Sequence, residues 1–218
     1  MSKKTVDTRQ ALLDAACKLF SEFGYNAVST RMIADEANVN LGGIHYHFTN
    51  KESLYIEVFR KAMNADKALT IDKLLATDPK LLQTPEGKSY AILRIVFDYF
   101  DRNFIIAEEW KRKLVFREVF DHSPVHLRLV DEVLKYESEK MYEFYRMLVP
   151  NASESEVRIW SHMPDTQAVY YMVSESMLKK YFEKEFVEEL CLNVMKTTTK
   201  MMILMLDLPV PAILLKAT

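Results

Sequence analysis

"NVNLGGIHYHFTNKESL" (Asn38–Leu54) holds two of the four glycines and two of the five histidines of a 218-residue chain. Each glycine costs a helix about 1 kcal/mol relative to alanine. Yet Ile44 and Phe48, four residues apart, share one inward helical face. A short helix that carries Gly42 and Gly43 is bare there and can approach another molecule closely. His45, Tyr46 and His47 project outward or sideways. His45 and His47 are two residues apart and point to different sides of a helix, so they suit a metal ion poorly.

The flanks agree with a helical reading. Upstream, Leu12, Ala15, Ala16, Leu19, Phe20 and Phe23 fall on one face of an amphipathic helix. Asp7 with Gln10 reads as its capping box and Gly24 as its stop. Ser29 is the N-cap of a second helix, "TRMIADEA", whose inward residues are Ile33 and Ala37. Downstream, Thr49 and Glu52 read as a capping box opening a helix through Leu54, Val58 and Ala62 toward Leu75. Three short helices with a turn at Asn38-Val39-Asn40 make a helix-turn-helix unit, whose last helix lies in the DNA major groove.

"ATDPKLLQTPEG" (Ala76–Gly87) breaks the periodicity. Beyond it, helices are expected near 86–102, 104–121, 124–149, 154–182 and 185–206. Thr84-Pro85 and Ser123-Pro124 read as N-cap and first position, and Ser153 with Glu156 as a capping box. Pro150 ends one helix, and Pro164 kinks another or breaks it in two. No strand alternation or repeat is present. The expectation is an all-α chain of about nine helices: a helix-turn-helix DNA-binding domain at 1–51 and a larger helical domain at 52–218, which the family resemblance given below implies to be for ligand binding and dimerisation.

Apolar residues make up 49% and charged residues 28% of the chain, with a net charge of −2. A broadly basic nucleic-acid binder is excluded, so positive charge for DNA must be local. Within Met1–Lys51, six cations (Lys3, Lys4, Arg9, Lys18, Arg31, Lys51) face five anions, a net +1. Cys17 and Cys191 read as buried reduced thiols, which fits a reducing cytoplasm. No secretory signal and no run of ~18 apolar residues is visible. His122 and His126 have metal spacing, but nothing completes a ligand set. No nucleophile motif, phosphate loop or carboxylate-histidine set marks an enzyme, and no cofactor is implied.

Ala11–Tyr55 closely resembles the DNA-binding module of the tetracycline-repressor (TetR) family. Leu19-Phe20…Phe23-Gly24-Tyr25, Ser29-Thr30, Ile33-Ala34…Ala37-Asn38-Val39, Tyr46-His47-Phe48 and Lys51-Glu52…Leu54 carry the resemblance. Asn40, Gly43 and His45 depart from the residues common there, all on the base-reading surface. The resemblance implies phosphate contacts from Thr30, Tyr46, His47 and Lys51, with Arg31 reaching phosphate or base. Leu41, Gly42, Gly43 and His45 come closest to the bases, and Lys3, Lys4 and Arg9 form an arm.

The resemblance further implies a homodimer on a palindromic operator, paired through its last two long helices. Val169, Met172, Val173, Met177, Val194, Met201, Ile203 and Leu204 supply the pairing face. A small hydrophobic or aromatic effector is expected among Arg94, Phe97, Trp110, Arg112, Phe116, Arg117, Phe120, Tyr145, Trp160, His162 and Tyr170. The function implied is a ligand-responsive transcriptional repressor of the bacterial cytoplasm, on the nucleoid when bound to its operator. The alternative is a regulator controlled by a protein partner or lacking an effector.

Overall fold

A computed structural model describes residues 8–63, 70–105 and 108–215, and it is helical with no strand among them. The helices are α1 (Thr8–Ala27), α2 (Thr30–Glu36), α3 (Gly42–Phe48), α4 (Lys51–Met63), α5 (Thr70–Thr77), α6 (Pro85–Phe100), α7 (Glu109–Phe120), α8 (His126–Leu129), α9 (Lys135–Leu148), α10 (Glu154–Ser161), α11 (Met163–Tyr181) and α12 (Lys184–Leu204). A π-helical turn, Asp101–Ile105, prolongs α6, and another, Val130–Leu134, follows α8.

Packing divides the chain into two compact units, Met1–Lys67 with Glu108–Lys135, and Ala68–Ala107 with Tyr136–Thr218. This packing division differs from the boundary expected at residue 51, because α4, α7 and α8 share a core with α1–α3. In the first unit Leu12, Ala16 and Phe20 of α1 meet Ile33, Ile44, Leu54, Tyr55 and Phe59, with Leu114 and Leu129 closing the cluster. Phe20 and Tyr25 both meet the Tyr55 ring edge-on, at 4.9 and 5.0 Å between centroids.

α7 is fastened within this unit by two adjacent charged residues. Arg117 donates to the carbonyls of Ser21 and Glu22, at 3.0 and 2.5 Å. It satisfies acceptors where α1 loses its helical path at Gly24 (φ 77°). Glu118, only 3% exposed, accepts from the Tyr55 hydroxyl of α4 at 2.7 Å and from the Ser123 backbone and hydroxyl at 3.2 and 3.0 Å. His126 Nδ1 completes the set at 2.8 Å. Burial, then the Glu118 bond, pushes the Tyr55 phenol well above its ordinary range. Burial likewise pushes the Cys17 thiol up to about 12, so it stays protonated.

The second unit centres on Trp160, whose indole N–H donates to Met202 O at 3.1 Å. Ile92, Val96, Phe100, Phe144, Met202 and Ile203 surround it.

Several expected helix ends stand. Ser29 accepts from Met32 N–H, Thr84 from Gly87 N–H, and Ser153 with Glu156 forms the full reciprocal box. Others are corrected. The α4 cap is Asn50 rather than Thr49: Asn50 Oδ1 accepts from Ser53 N–H at 2.8 Å, and Thr49 itself lies at φ 69°. Ser123 does not cap α8, which starts at His126 with Val125 in the cap position and no side-chain cap bond. The rod expected over 154–182 breaks into α10 and α11, with Pro164 in the first turn of α11, where its missing N–H costs nothing. Asp7 and the stretch after α4, 64–69, lie outside the described residues.

His162, in the second unit, bridges Asp165 (Nδ1, 2.8 Å) and the Tyr142 hydroxyl (Nε2, 2.6 Å). The Asp165 bond outweighs burial and raises its pKa. That stabilisation is complete below the unfolded histidine value of about 6.5 and fades as pH rises through the higher folded value. Asp165→Asn should therefore lower the melting temperature more at about pH 5.5 than at about pH 8.5. Thermal melts of both proteins at the two pH values check this; an equal loss at both would contradict it.

Candidate nucleic-acid interface

The surface of interest is made by a turn. α2 ends with Asn38 in the left-handed region (φ 53°). Asn38 N–H donates to Asp35 O at 3.1 Å and Val39 N–H to Ala34 O at 3.0 Å. This pair of bonds is a Schellman closure with asparagine where glycine is usual. Asn40 then starts α3 from outside. Its side chain accepts from Gly42 N–H at 3.1 Å and its carbonyl from Gly43 N–H at 2.8 Å. An Asx turn of this kind suits the amide side chain.

Ile44 and Phe48 are thereby buried, and Leu41, Gly42, His45 and Tyr46 face outward. Tyr46 is 85% exposed. Its ring meets His47, which is half-buried, edge-on at 4.8 Å. His45 Nδ1 lies 3.0 Å from Thr49 O. Thr30, half-buried, is the first residue of α2, and exposed Arg31 follows it. Arg31 makes no ion pair among the described residues. Lys51 opens α4 with its ammonium 4.0 Å from the Tyr25 ring centre, and partial burial lowers its pKa.

The two glycines differ. A Cβ on Gly42 would meet only Asn40 Oδ1, at 3.8 Å. A Cβ on Gly43 would instead point at α1, 3.5 Å from Leu12 Cδ1 and 3.6 Å from Thr8 Cγ2. The bare outward patch is therefore Gly42 alone, and Gly43 is corrected to an α1-facing position. Arg9 is also corrected: it belongs to α1, 2.6 Å from Glu57 and over the Phe48 ring. Lys3 and Lys4 lie outside the described residues.

The expected effector residues are not brought together within one unit. Trp110, Arg112, Phe116, Arg117 and Phe120 belong to the first unit and the other six to the second. Arg117 caps α1, and Trp160 and Tyr145 are core, 4.9 Å apart. Phe97 packs against the same core. Arg94 is exposed and Tyr170 is 64% exposed. His122 and His126 stack at 3.9 Å, and no group of three potential metal ligands occurs among the described residues. No described helix is long and apolar enough to cross a membrane.

This geometry is that of a helix-turn-helix reader. Residues 12–58 match the profile "Bacterial regulatory proteins, tetR family". The chain is 42% identical over 55 residues to the uncharacterized HTH-type transcriptional regulator YhgD of Bacillus subtilis (strain 168), a match covering 25% of this chain and 29% of that one. It is 35% identical over 100 residues to the HTH-type nicotine-responsive transcriptional repressor HdnoR of Paenarthrobacter nicotinovorans, covering 46% and 47%. These matches span less than half the length of either relative. The solved structure of the fatty acid degradation regulator FadR from Bacillus halodurans has the same fold, with TM-score 0.59 at 18% identity over 92% of this chain and 97% of that one. Residues 12–58 thus match the DNA-binding module of the tetR family of bacterial regulatory proteins.

Gly43→Ala should raise stability by up to about 1 kcal/mol, because helix propensity improves and the new methyl finds ordinary contacts. It should leave DNA affinity unchanged, the methyl being turned from the outward face. Urea unfolding and a binding titration check both halves; a lowered urea midpoint would contradict the placement.

Proposed function

We propose that this protein is a transcriptional repressor that binds a palindromic operator as a homodimer and releases it when a small apolar or aromatic effector binds. The observation that carries the DNA reading is the outward set Leu41, Gly42, His45 and Tyr46, on a short helix whose other face is locked into the core. Leu41 suits a thymine methyl, and Gly42 lets the backbone come near the base edges. Thr30, Tyr46, His47, Lys51 and Arg31 supply hydroxyl, ring N–H and cationic groups for phosphates on either side. Lys18 and Arg9 are already engaged with Glu36 and Glu57. Few cations remain, so affinity depends on fit more than on bulk charge.

One such reader covers too little DNA, and two related by a two-fold axis span half-sites about 34–36 Å apart. The pairing surface is supported by a stripe on α11: Tyr170, Val173, Met177 and Tyr181, spaced three and four apart, all exposed. Met201, Leu204 and Met205 are exposed on and just after α12. Contiguous apolar surface of this kind marks an interaction site. Ile203, expected on that face, is buried in the second unit's core, and Val194 packs against it. The Met172 side chain lies outside the described residues. Effector control is supported by the likeness to HdnoR, a nicotine-responsive repressor. An effector acts only through its difference in affinity between DNA-competent and DNA-released states.

Two substitutions test the reading. Tyr46→Ala with His47→Ala should abolish binding to an operator selected from random duplexes, with helix content and dimerisation unchanged. Met177→Glu should give monomers by sedimentation and lose operator affinity at least about tenfold, through loss of the second reader. Unchanged affinity in the first case removes α3 from the interface. A persistent dimer in the second removes this α11 stripe from the pairing face.

A further inference from the structure

We infer that His45 reads a base, and that at its position on the strand it faces it selects adenine or cytosine, whose N6 or N4 amino group donates in the major groove, over guanine or thymine. This rests on the operator-binding reading above. His45 Nδ1 lies 3.0 Å from Thr49 O. A carbonyl oxygen only accepts, so Nδ1 carries the hydrogen, and Nε2 of the neutral ring is then a bare acceptor. Thr49 takes φ 69° and ψ −55° at the joint between α3 and α4. That backbone position turns its carbonyl to the imidazole, so the tautomer is set inside the protein before DNA arrives.

A phosphate offers acceptors only and has nothing to give a bare Nε2. The major-groove base edges offer donors at two places, the amino groups of adenine and cytosine. The imidazole is short, so the helix must lie close for Nε2 to reach them. Gly42, three residues earlier on the same outward face, permits that approach, since nothing stands nearer its missing side chain than Asn40 Oδ1 at 3.8 Å. The exposed face thus divides its work: His45 accepts from a base, and the Tyr46 hydroxyl donates to the backbone.

The test uses the full chain and an operator recovered by selection from random duplexes. In that operator each adenine is replaced singly by purine, which lacks the N6 amino group, and each cytosine by 2-pyrimidinone, which lacks N4. At one position per half-site the native protein should lose about tenfold in affinity. His45→Ala, of unchanged helix content by circular dichroism, should lose no more than about twofold from that same replacement. Three results overturn the inference: a native protein indifferent to every amino deletion, a His45→Ala protein that suffers the same loss, or a His45→Ala protein weakened equally on all sequences with a salt slope smaller by about one. The last is the mark of an imidazolium on phosphate. Failure of the operator reading itself looks different: no duplex is enriched by either protein, and both ideas fall together.

Discussion

The left-handed backbone at Asn38 sets everything that follows in the reader. An L-residue with a branched side chain resists that conformation, whereas asparagine tolerates it and glycine takes it freely. Here it closes α2 through paired bonds to Asp35 O and Ala34 O. The chain then reverses within three residues, and Asn40 restarts the helix by capping Gly42 N–H. Were that reversal one residue longer, α3 would rotate by roughly 100°. Ile44 and Phe48 would then leave the core, and the outward face would no longer be the one that carries Gly42 and His45.

Position alone does not hold the reader rigid; its packing partners do. Glu118 ties α7 to α4 by a buried bond, and Arg117, itself exposed, ties it to α1. Breaking a buried charged set by removing one member costs on the order of 3–5 kcal/mol, because the rest is left without compensation. The exposed pairs Lys18–Glu36 and Lys61–Asp14 are worth only about 0–1 kcal/mol each. The buried Glu118 bond therefore contributes more to where α4 stands than the surface pairs do. Tyr55, held by Glu118 and packed on Phe20, joins α4 to both α7 and α1.

The helical periodicity of the reader was legible because its inward residues are apolar and regularly spaced. Caps built from a hydroxyl and a glutamate three residues on were legible too, as Ser153 and Glu156 show. Thr49 with Glu52 has the same pattern and misleads, because Asn50, one residue on, takes the cap and leaves Thr49 in the left-handed region. Gly43 misleads for a related reason. Glycine reports only that a side chain is absent, and the direction it would have taken depends on the helix's rotation against α1. The Glu118 cluster could not be read at all, since Tyr55 and Glu118 are 63 residues apart and nothing local marks them as partners. The expected effector residues form a largely aromatic stripe in the sequence, and folding sorts such a stripe into core, cap and surface by contacts that lie far apart in the chain.

The central claim is that the outward face of α3 meets the base edges of the DNA, with α2 and the start of α4 on the flanking phosphates. Backbone amide shifts of the labelled protein, followed by NMR while a selected operator duplex is added, test it directly. The account predicts the largest shifts at Gly42, His45 and Tyr46, with smaller ones at Thr30, Arg31 and Lys51. Shifts concentrated elsewhere, with Gly42 and Tyr46 unmoved at saturation, would contradict it.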